Sequence, residues 1–163
     1  MNEIRYSPIG VIHSPFSQPK GTPIQPSAAL GTAGTVELFD QYAAGLRDLE
    51  GFSHIILLYH FHLTKGPSLT GKPFMDDQHH GIFAFRGPNR PNPIGLSVVR
   101  LKSIDGNVLH IQDVDAVDGT PLLDIKPYVP KFDVRDVERI GWLAKHVHKL
   151  PTTRDDGRFA NSQ

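Results

Sequence analysis

The chain has 163 residues, with 17 Lys and Arg, 17 Asp and Glu, and no Cys. This length fits a single domain with a sizeable core, and the lack of Cys excludes disulfides and thiolate zinc sites and favours the reducing cytoplasm. Because the charges balance, a nucleic-acid partner would need a local basic patch. The longest apolar run, residues 55–61, falls short of the roughly 20 residues of a membrane helix, and the N-terminus has no secretory pattern. We therefore expect a cytoplasmic protein without membrane contact.

The N-terminal quarter combines strand patterns with a proline-rich loop. Residues 4–13 predict a first strand that Pro8 interrupts, because proline in a strand implies an edge or a bulge. Residues 14–34 hold four prolines and three glycines without an apolar period. A long loop of this kind tends to be functional or mobile. Residues 35–39 return to a strand pattern.

A short helix and a buried strand come next. Residues 40–52 predict the helix, with Asp40 as its N-cap and Gly51 at its C-terminal stop. Residues 54–62 predict the strand, and residues 65–80 form a second loop.

The C-terminal half predicts a hairpin and then a helix. Asp105-Gly106 is a strong hairpin signal between the strand patterns of residues 96–104 and 107–117. In residues 133–150 apolar side chains recur at three- and four-residue spacing, which predicts a helix with Asp133 as its cap. The positive charges of this region suit either a solvated helix face or an RNA contact surface.

About seven short strands, hairpin turns and few helices indicate a mainly β protein. We predict a small antiparallel β-barrel, or a strongly curved sheet, with one or two short helices. Residues 1–150 would form this single domain, and residues 151–163 a polar C-terminal tail.

The sequence lacks the common cofactor and metal signatures. It has neither the dinucleotide pattern G-x-G-x-x-G nor the phosphate-loop pattern. His60 and His62 share one face of a strand, but the chain has no H-E-x-x-H and we assign no metal site. A histidine-metal hydrolase and a non-catalytic ligand-binding module stay open as alternatives.

The segment RGPNRPNPIG, residues 86–95, is stiff and cationic. Its prolines fix φ and push the preceding residues into extended conformations, which lowers the ordering cost of binding a ligand. Arg86 and Arg90 on such a loop suit a carboxylate, a phosphate or a planar base. The alternative, a structural loop salt-bridged to aspartates, is equally compatible with these residues.

A second polar cluster covers residues 115–128. Asp118 to Pro121 predict a tight turn that offers a carboxylate, a hydroxyl and exposed amides. Asp124 and Lys126 lie two apart on a strand and point the same way. They form either a plain ion pair or, if buried, an acid–base couple.

Four segments together resemble the TrmO family, long described as YaeB-like proteins. They read IGVIHSPF, GLRDLEGFSHIILLYHFH, GIFAFRGPNRPNPIGLSVVRL and DVDAVDGTPLLDIKPYVP, and the match runs from about residue 6 to residue 130. The resemblance implies a small β-barrel that binds S-adenosylmethionine, often near a homodimer interface. It also implies cytoplasmic methylation of N6-threonylcarbamoyladenosine beside the tRNA anticodon. A same-fold methyltransferase acting on another substrate is the nearest alternative.

The resemblance also assigns residues to the cofactor. The expected contacts come from four places in the chain: Gln25, Pro26 and Ser27; His62 and Leu63; Arg86 and Leu96; and Asp118, Gly119, Thr120 and Pro121. The chain departs from the family pattern where it reads AFRG at residues 84–87, since members often read ATRS. It also departs at Leu63, where a glutamine is common.

Four residues are candidates for catalysis. N6 of the implied acceptor is conjugated with a carbonyl and is a poor nucleophile, so removal of its proton would help. Asp124 is the first candidate base and Tyr128 the second. Lys126 or Arg90 could hold developing negative charge or the substrate's threonyl carboxylate. RNA would approach through Arg86, Arg90, Arg100, Lys102 and the predicted C-terminal helix.

Overall fold

The computed structural model describes residues 2–160 of the chain. Six strands close into an antiparallel barrel in the order β1-β2-β7-β6-β3-β8, which confirms the predicted mainly β fold. The strands are β1 Gly10–His13, β2 Ala33–Leu38, β3 His54–His60, β6 Ile94–Asp105, β7 Val108–Gln112 and β8 Thr120–Pro127, and a separate two-stranded sheet joins β4 Thr70–Gly71 to β5 His80–Gly81.

Alternating side chains fill the barrel. Along β3 every second residue is buried, and β6 follows the same period over its first eight residues. This is the period of a strand with one face on the core. The fully buried members include Ile12, Val36, Ile55, Leu57, Val99, Leu109, Ile111 and Leu122. The sequence folds as a barrel because these inward faces can bury only against one another.

The helices are few and short. The α-helix α1 covers Pro130–Asp133, and six 3₁₀ turns cover Pro26–Ala28, Asp40–Leu46, Leu49–Gly51, Ile82–Ala84, Gly141–Lys145 and Val147–Lys149. The predicted helix at residues 40–52 is therefore two 3₁₀ turns. Its N-cap is Phe39 rather than Asp40, whose carboxylate instead accepts a hydrogen bond from Asn107.

Two sequence-based predictions of secondary structure are wrong in extent or kind. The first strand begins at Gly10 rather than residue 4, and Ile4 and Tyr6 are exposed. The continuous helix over residues 133–150 does not form. Val134 and Val137 stay exposed, so their spacing buries nothing, and Gly141 takes a left-handed φ of 61° that interrupts any helix.

The last described stretch returns to the barrel end. Backbone bridges join Arg154 to Pro23 and Ala160 to Thr64. We call residues 141–160 the C-terminal strap; the remainder of the predicted polar tail, residues 161–163, lies outside the described residues. Within residues 2–160, no helix has the length and apolar character needed to cross a bilayer.

Candidate functional site

A cavity of about 330 Å³ lies at the barrel end where β3 finishes and β6 and β8 begin. Small-molecule sites span roughly 300–1,000 Å³ and combine apolar walls with a few polar groups. This cavity fits that description, with Phe61, Leu63 and Phe159 beside Arg86 and Asp115. Its lining comes from residues within 19–25, 59–64, 86–96, 115–120 and 155–160, together with Phe74. Both polar segments singled out in the sequence therefore contribute to one cavity.

The two arginines of the proline segment have different tasks. Arg86 reaches across to the first loop, where its Nη1 donates to Gln25 Oε1 at 2.9 Å. Arg90 Nη1 donates to the carbonyls of Phe85 and Gly87 at 2.8 and 3.1 Å, so Arg90 holds its own loop in shape. Both line the cavity, and among residues 2–160 neither pairs with a carboxylate. The structural alternative of salt bridges to aspartates is thereby excluded within this range.

A chain of hydroxyl groups ends on a carboxylate in the cavity wall. Tyr59 Oη lies 2.9 Å from Ser97 Oγ, which donates to Asp115 Oδ1 at 2.6 Å. Tyr59 and Ser97 are buried on adjacent strands, and Gly95 lies opposite Tyr59 in the β3–β6 register. A Cβ at position 95 would fall 2.2 Å from the Tyr59 ring. Glycine is therefore required there because the ring occupies the space of a side chain.

The protein environment of this row of hydrogen-bonded groups shifts the pKa values of Asp115 and Tyr59. Burial raises the pKa of Asp115 to about 7, against the opposing effect of the Ser97 hydrogen bond and of Arg86. Burial and the nearby Asp115 carboxylate raise the pKa of the Tyr59 phenol. A carboxyl group with a pKa near 7 in a ligand-sized cavity is a candidate for proton exchange. Sequence reasoning assigned no role to Tyr59, Ser97 or Asp115, because only the folded structure reveals that two strands and the loop between β7 and β8 bring them together.

Most of the predicted cofactor residues meet at this cavity. Gln25, His62, Leu63, Arg86, Leu96 and Thr120 line it. Pro26 and Ser27 lie in an adjoining depression that shares Gln25, Arg86 and Leu96 with the cavity. Partial burial, reinforced by His60, lowers the pKa of His62.

The other residues of the turn at residues 118–121 stabilise the conformation of that turn. Asp118 accepts a hydrogen bond from the Ser14 amide at 3.1 Å and lies 3.2 Å from His13 Nδ1. Gly119 takes a φ of 83°, and Pro121 pairs with Val11 in the β1–β8 ladder. Asp118, Gly119 and Pro121 are not among the residues that line the cavity.

Three of the four predicted catalytic residues lie on β8 or directly after its end, and none of the three lines the cavity. Asp124 and Lys126 form an ion pair of 2.8 Å on the surface, with 45% and 57% of their side chains exposed. That contact raises the pKa of Lys126. Tyr128 packs edge-on against His54 with ring centroids 6.4 Å apart. Arg90 alone lines the cavity, and the catalytic roles of all four stay predictions.

The C-terminal strap contributes Asp155, Phe159 and Ala160 to the lining of the cavity. Its backbone is tied to the first loop by Asp155 N–H to Thr22 O at 2.8 Å, and to the loop after β3 by Lys65 N–H to Phe159 O at 3.2 Å. Phe159 is buried against Phe74, with ring centroids 5.0 Å apart. Burial raises the pKa of Asp155, which also lines the cavity.

A second anchor holds the start of the strap. Trp142 donates its indole N–H to Ala84 O at 2.8 Å and stacks on His80 at 4.8 Å. His80 Nε2 lies 2.8 Å from Asp76 Oδ2, and this hydrogen bond holds the pKa of Asp76 down, at about 2. The sequence pattern gave no sign of these contacts, because it predicted a helix and a tail for the same residues.

The histidines raise the question of a metal. His60 is exposed while His62 lines the cavity. Across residues 2–160, no three His, Cys, Asp or Glu side chains lie close enough to hold a metal ion.

Comparison with known proteins identifies the family. The model described as tRNA-methyltransferase O N-terminal domain matches residues 11–134. A probable S-adenosyl-L-methionine-binding protein of Pyrococcus abyssi is 63% identical over 156 residues, covering 96% of this chain and 85% of that protein. The tRNA (adenine(37)-N6)-methyltransferase of Escherichia coli is 39% identical, covering 80% of this chain and 60% of that enzyme.

A solved structure agrees with the fold. The crystal structure of TrmO from Pseudomonas aeruginosa superposes with a TM-score of 0.73 at 38% identity, covering 86% of this chain and 63% of that one. The chain therefore spans less than two thirds of both the E. coli and the P. aeruginosa proteins. The C-terminal strap lies beyond the matched domain. With three quarters of its length inside the family model, the chain belongs to the TrmO family.

Proposed function

We propose that this chain is an S-adenosylmethionine-dependent tRNA methyltransferase that methylates N6 of adenosine 37, with N6-threonylcarbamoyladenosine as the acceptor. The observation that carries the proposal is that the proline segment, residues 86–95, and the polar cluster, residues 115–128, line one cavity of ligand size, through Arg86 and Thr120 respectively. The relatives named for this activity on adenine 37 support the reaction. That the acceptor adenosine already carries a threonylcarbamoyl group is the more specific part of the proposal.

The residues around the cavity suit this cofactor. When bound, S-adenosylmethionine supplies a methyl group activated by its positive sulfur. The carboxylate of Asp155 suits its positive charges, and the guanidinium of Arg86 suits its carboxylate. Apolar side chains such as Leu63 keep water out, and the proline-stiffened loop keeps Arg86 and Arg90 aligned before a ligand arrives.

The acceptor would have to reach the cavity across a charged surface. Arg86 lies at the cavity and is exposed, and Arg100 and Lys102 are exposed on β6. Contacts between these cations and phosphates make binding salt-dependent. We therefore expect tRNA affinity to fall steeply between about 50 and 200 mM salt; a flat dependence would favour a small-molecule acceptor.

A homodimer is part of the proposal. Residues 130–140 are exposed throughout and carry large apolar side chains, with Phe132 74% and Val137 63% exposed. Exposed apolar stretches of this kind mark contact surfaces. They follow β8 directly, so a second copy covering them would lie beside the exposed Asp124–Lys126 pair. Light scattering that gives the mass of one chain would contradict this part.

Three measurements test the function in sequence. Calorimetry with S-adenosylmethionine and, separately, with zinc should show binding of the first alone. Purified protein should then methylate tRNA that carries threonylcarbamoyladenosine 37 and leave an unmodified transcript unchanged. Mass spectrometry of tRNA nucleosides from a strain lacking the gene should show loss of the N6-methyl form. Methylation of both tRNAs would remove the threonylcarbamoyl requirement, and failure to bind the cofactor would overturn the whole proposal.

A further inference from the structure

We propose that Asp115 is a catalytic residue that removes the N6 proton of the acceptor, and that Ser97 and Tyr59 position its carboxylate. The inference rests on the proposed function and extends it to a residue outside the set that the sequence suggested. It starts from the geometry of the hydroxyl chain in the cavity wall.

The carboxylate of Asp115 accepts a hydrogen bond from Ser97, and Asp115 also lines the cavity. Ser97 Oγ donates to Oδ1 at 2.6 Å, and Ser97 is itself fixed by Tyr59 Oη at 2.9 Å. Among residues 2–160 no other side chain is hydrogen-bonded to Asp115. A rigid strand pair therefore orients a carboxylate whose remaining acceptor capacity is not taken up by another side chain.

The other carboxylates fit the task less well. Asp155 also lines the cavity, but its Oδ1 accepts the Gly157 amide at 2.6 Å and so shapes the turn of the strap. Asp124 lies on the surface in its ion pair with Lys126. Asp115 alone among the three combines a place in the cavity with a side-chain donor fixed by the barrel.

The proton balance of the transfer explains why such a group is useful. As the bond from N6 to the methyl carbon forms, the carbon–sulfur bond breaks and its electron pair stays on sulfur. The N6 proton must then leave, and the Asp115 carboxylate accepts it and later releases it to water. Burial brings the pKa of Asp115 to about 7, so the group can take and return a proton near neutral pH.

Other ionisable groups face the same space. Arg86 before β6 lowers the pKa of Asp115, and Asp115 in turn raises the pKa of Tyr59 on β3. His62, Arg90 and Asp155 also line the cavity. The test must therefore separate Asp115 from this background.

Single-turnover methylation at saturating S-adenosylmethionine provides the test. Asp115→Asn keeps the shape of the side chain and should slow the rate by about 10²–10⁴-fold, with cofactor affinity by calorimetry within about threefold of wild type. Asp105→Asn, the same change on an exposed hairpin residue, is the matched control and should leave the rate unchanged. Near-ultraviolet circular dichroism verifies that each variant is folded.

The pH profile provides a second readout that a structural role would not move. The wild-type rate should rise with pH and level off above about 7, following the pKa of Asp115, whereas the residual rate of Asp115→Asn should lose this step. Because the Ser97 hydrogen bond lowers the pKa of Asp115, Ser97→Ala should move the step to higher pH.

Each contrary result has a distinct meaning. An unchanged rate in Asp115→Asn, or a loss confined to cofactor affinity, overturns the inference while the proposed function stands. A large loss in Asp124→Asn with little loss in Asp115→Asn makes Asp124 the base and also overturns it. A wild-type protein that binds the cofactor but methylates no tRNA overturns the proposed function, and the inference with it.

Discussion

The cavity has two walls that are built very differently. On one side β3 and β6 pair over seven residues, with Tyr59 locked against Gly95 and hydrogen-bonded to Ser97. On the other side the C-terminal strap consists of short 3₁₀ turns and isolated bridges, anchored by Trp142 and Phe159. Tyr59 of the first wall belongs to the hydrophobic core of the barrel. The strap instead packs in a separate, smaller hydrophobic cluster that contains Phe159 and Trp142.

This difference suggests that the two walls have separate roles, one in ligand entry and the other in catalysis. Elements with few backbone hydrogen bonds and little buried area open at lower free energy than core strands. The strap should therefore open to admit or release a ligand while the barrel stays folded. The proposed proton acceptor lies at the rigid wall, where a shift of one ångström would be most costly to the rate.

The largest expected effect comes from crowding the rigid wall. In Gly95→Ala the new methyl group would lie 2.2 Å from the Tyr59 ring, which cannot retreat because its hydroxyl is bonded to Ser97. We expect a loss of about 3 kcal/mol or more in unfolding free energy, measured by urea titration. Gly45→Ala, whose Cβ meets nothing within 4 Å, is the control. Equal stability of the two variants would show that this wall is not rigid.

A smaller effect is expected from loosening the strap. Phe159→Ala removes the ring that packs on Phe74 and Phe85. Cofactor affinity should fall about 10–100-fold, or roughly 1.4–2.8 kcal/mol, while urea unfolding of the barrel changes little. Hydrogen exchange should accelerate in residues 141–160. The exposed Phe132→Ala is the control, and a matching fall in barrel stability would erase the contrast between the walls.

Ionisation of the partly buried Asp115 carboxyl group costs folding stability. Burial raises the pKa of Asp115 from 3.8 to about 7, so across that window the folded chain keeps a proton that the unfolded chain has released. Wild-type stability therefore falls as pH rises through the window.

Asp115→Asn removes this penalty. Relative to wild type, its melting temperature should be similar at pH 4 and higher by several degrees at pH 8. Asp105→Asn controls for the loss of one negative charge. A difference of the same size at both pH values would mean that Asp115 is not the source.

The smallest effect is expected at the far end of the hydroxyl chain. Tyr59→Phe keeps the ring against Gly95 and removes one hydrogen bond to Ser97, worth about 1 kcal/mol. The methylation rate should fall about fivefold, and Ser97→Ala should slow it more because Ser97 touches Asp115 directly. A loss in Tyr59→Phe as large as that in Asp115→Asn would contradict a role for Tyr59 that is limited to positioning.

The sequence predicts the fold well because it depends on local patterns. The short strand patterns, the few helical segments and the Asp105-Gly106 turn between β6 and β7 indicate an antiparallel barrel. The sequence also predicts that the proline segment and the turn at residues 118–121 meet at one site, but through family resemblance rather than spacing. Arg86 and Thr120 of these two segments line the same cavity.

The rest depends on contacts that spacing does not encode. Val134 and Val137 have helical spacing, but no neighbouring surface is available to bury them, so the predicted helix does not form. Asp115 is one of several aspartates between residues 105 and 124, and only the folded path of the loop between β7 and β8 brings it to Ser97 on β6. Phe159 is inconspicuous in a polar tail until it is found buried.

Closure of the barrel limits how the molecule can associate. An open sheet offers unpaired amide and carbonyl groups along its border, where another chain can add a strand. Here β1 pairs with both β2 and β8, which completes the ring. A partner that contacts the barrel wall would therefore meet side chains and loops rather than a free strand border, and substitutions on the outer surface should alter such contacts without changing strand pairing.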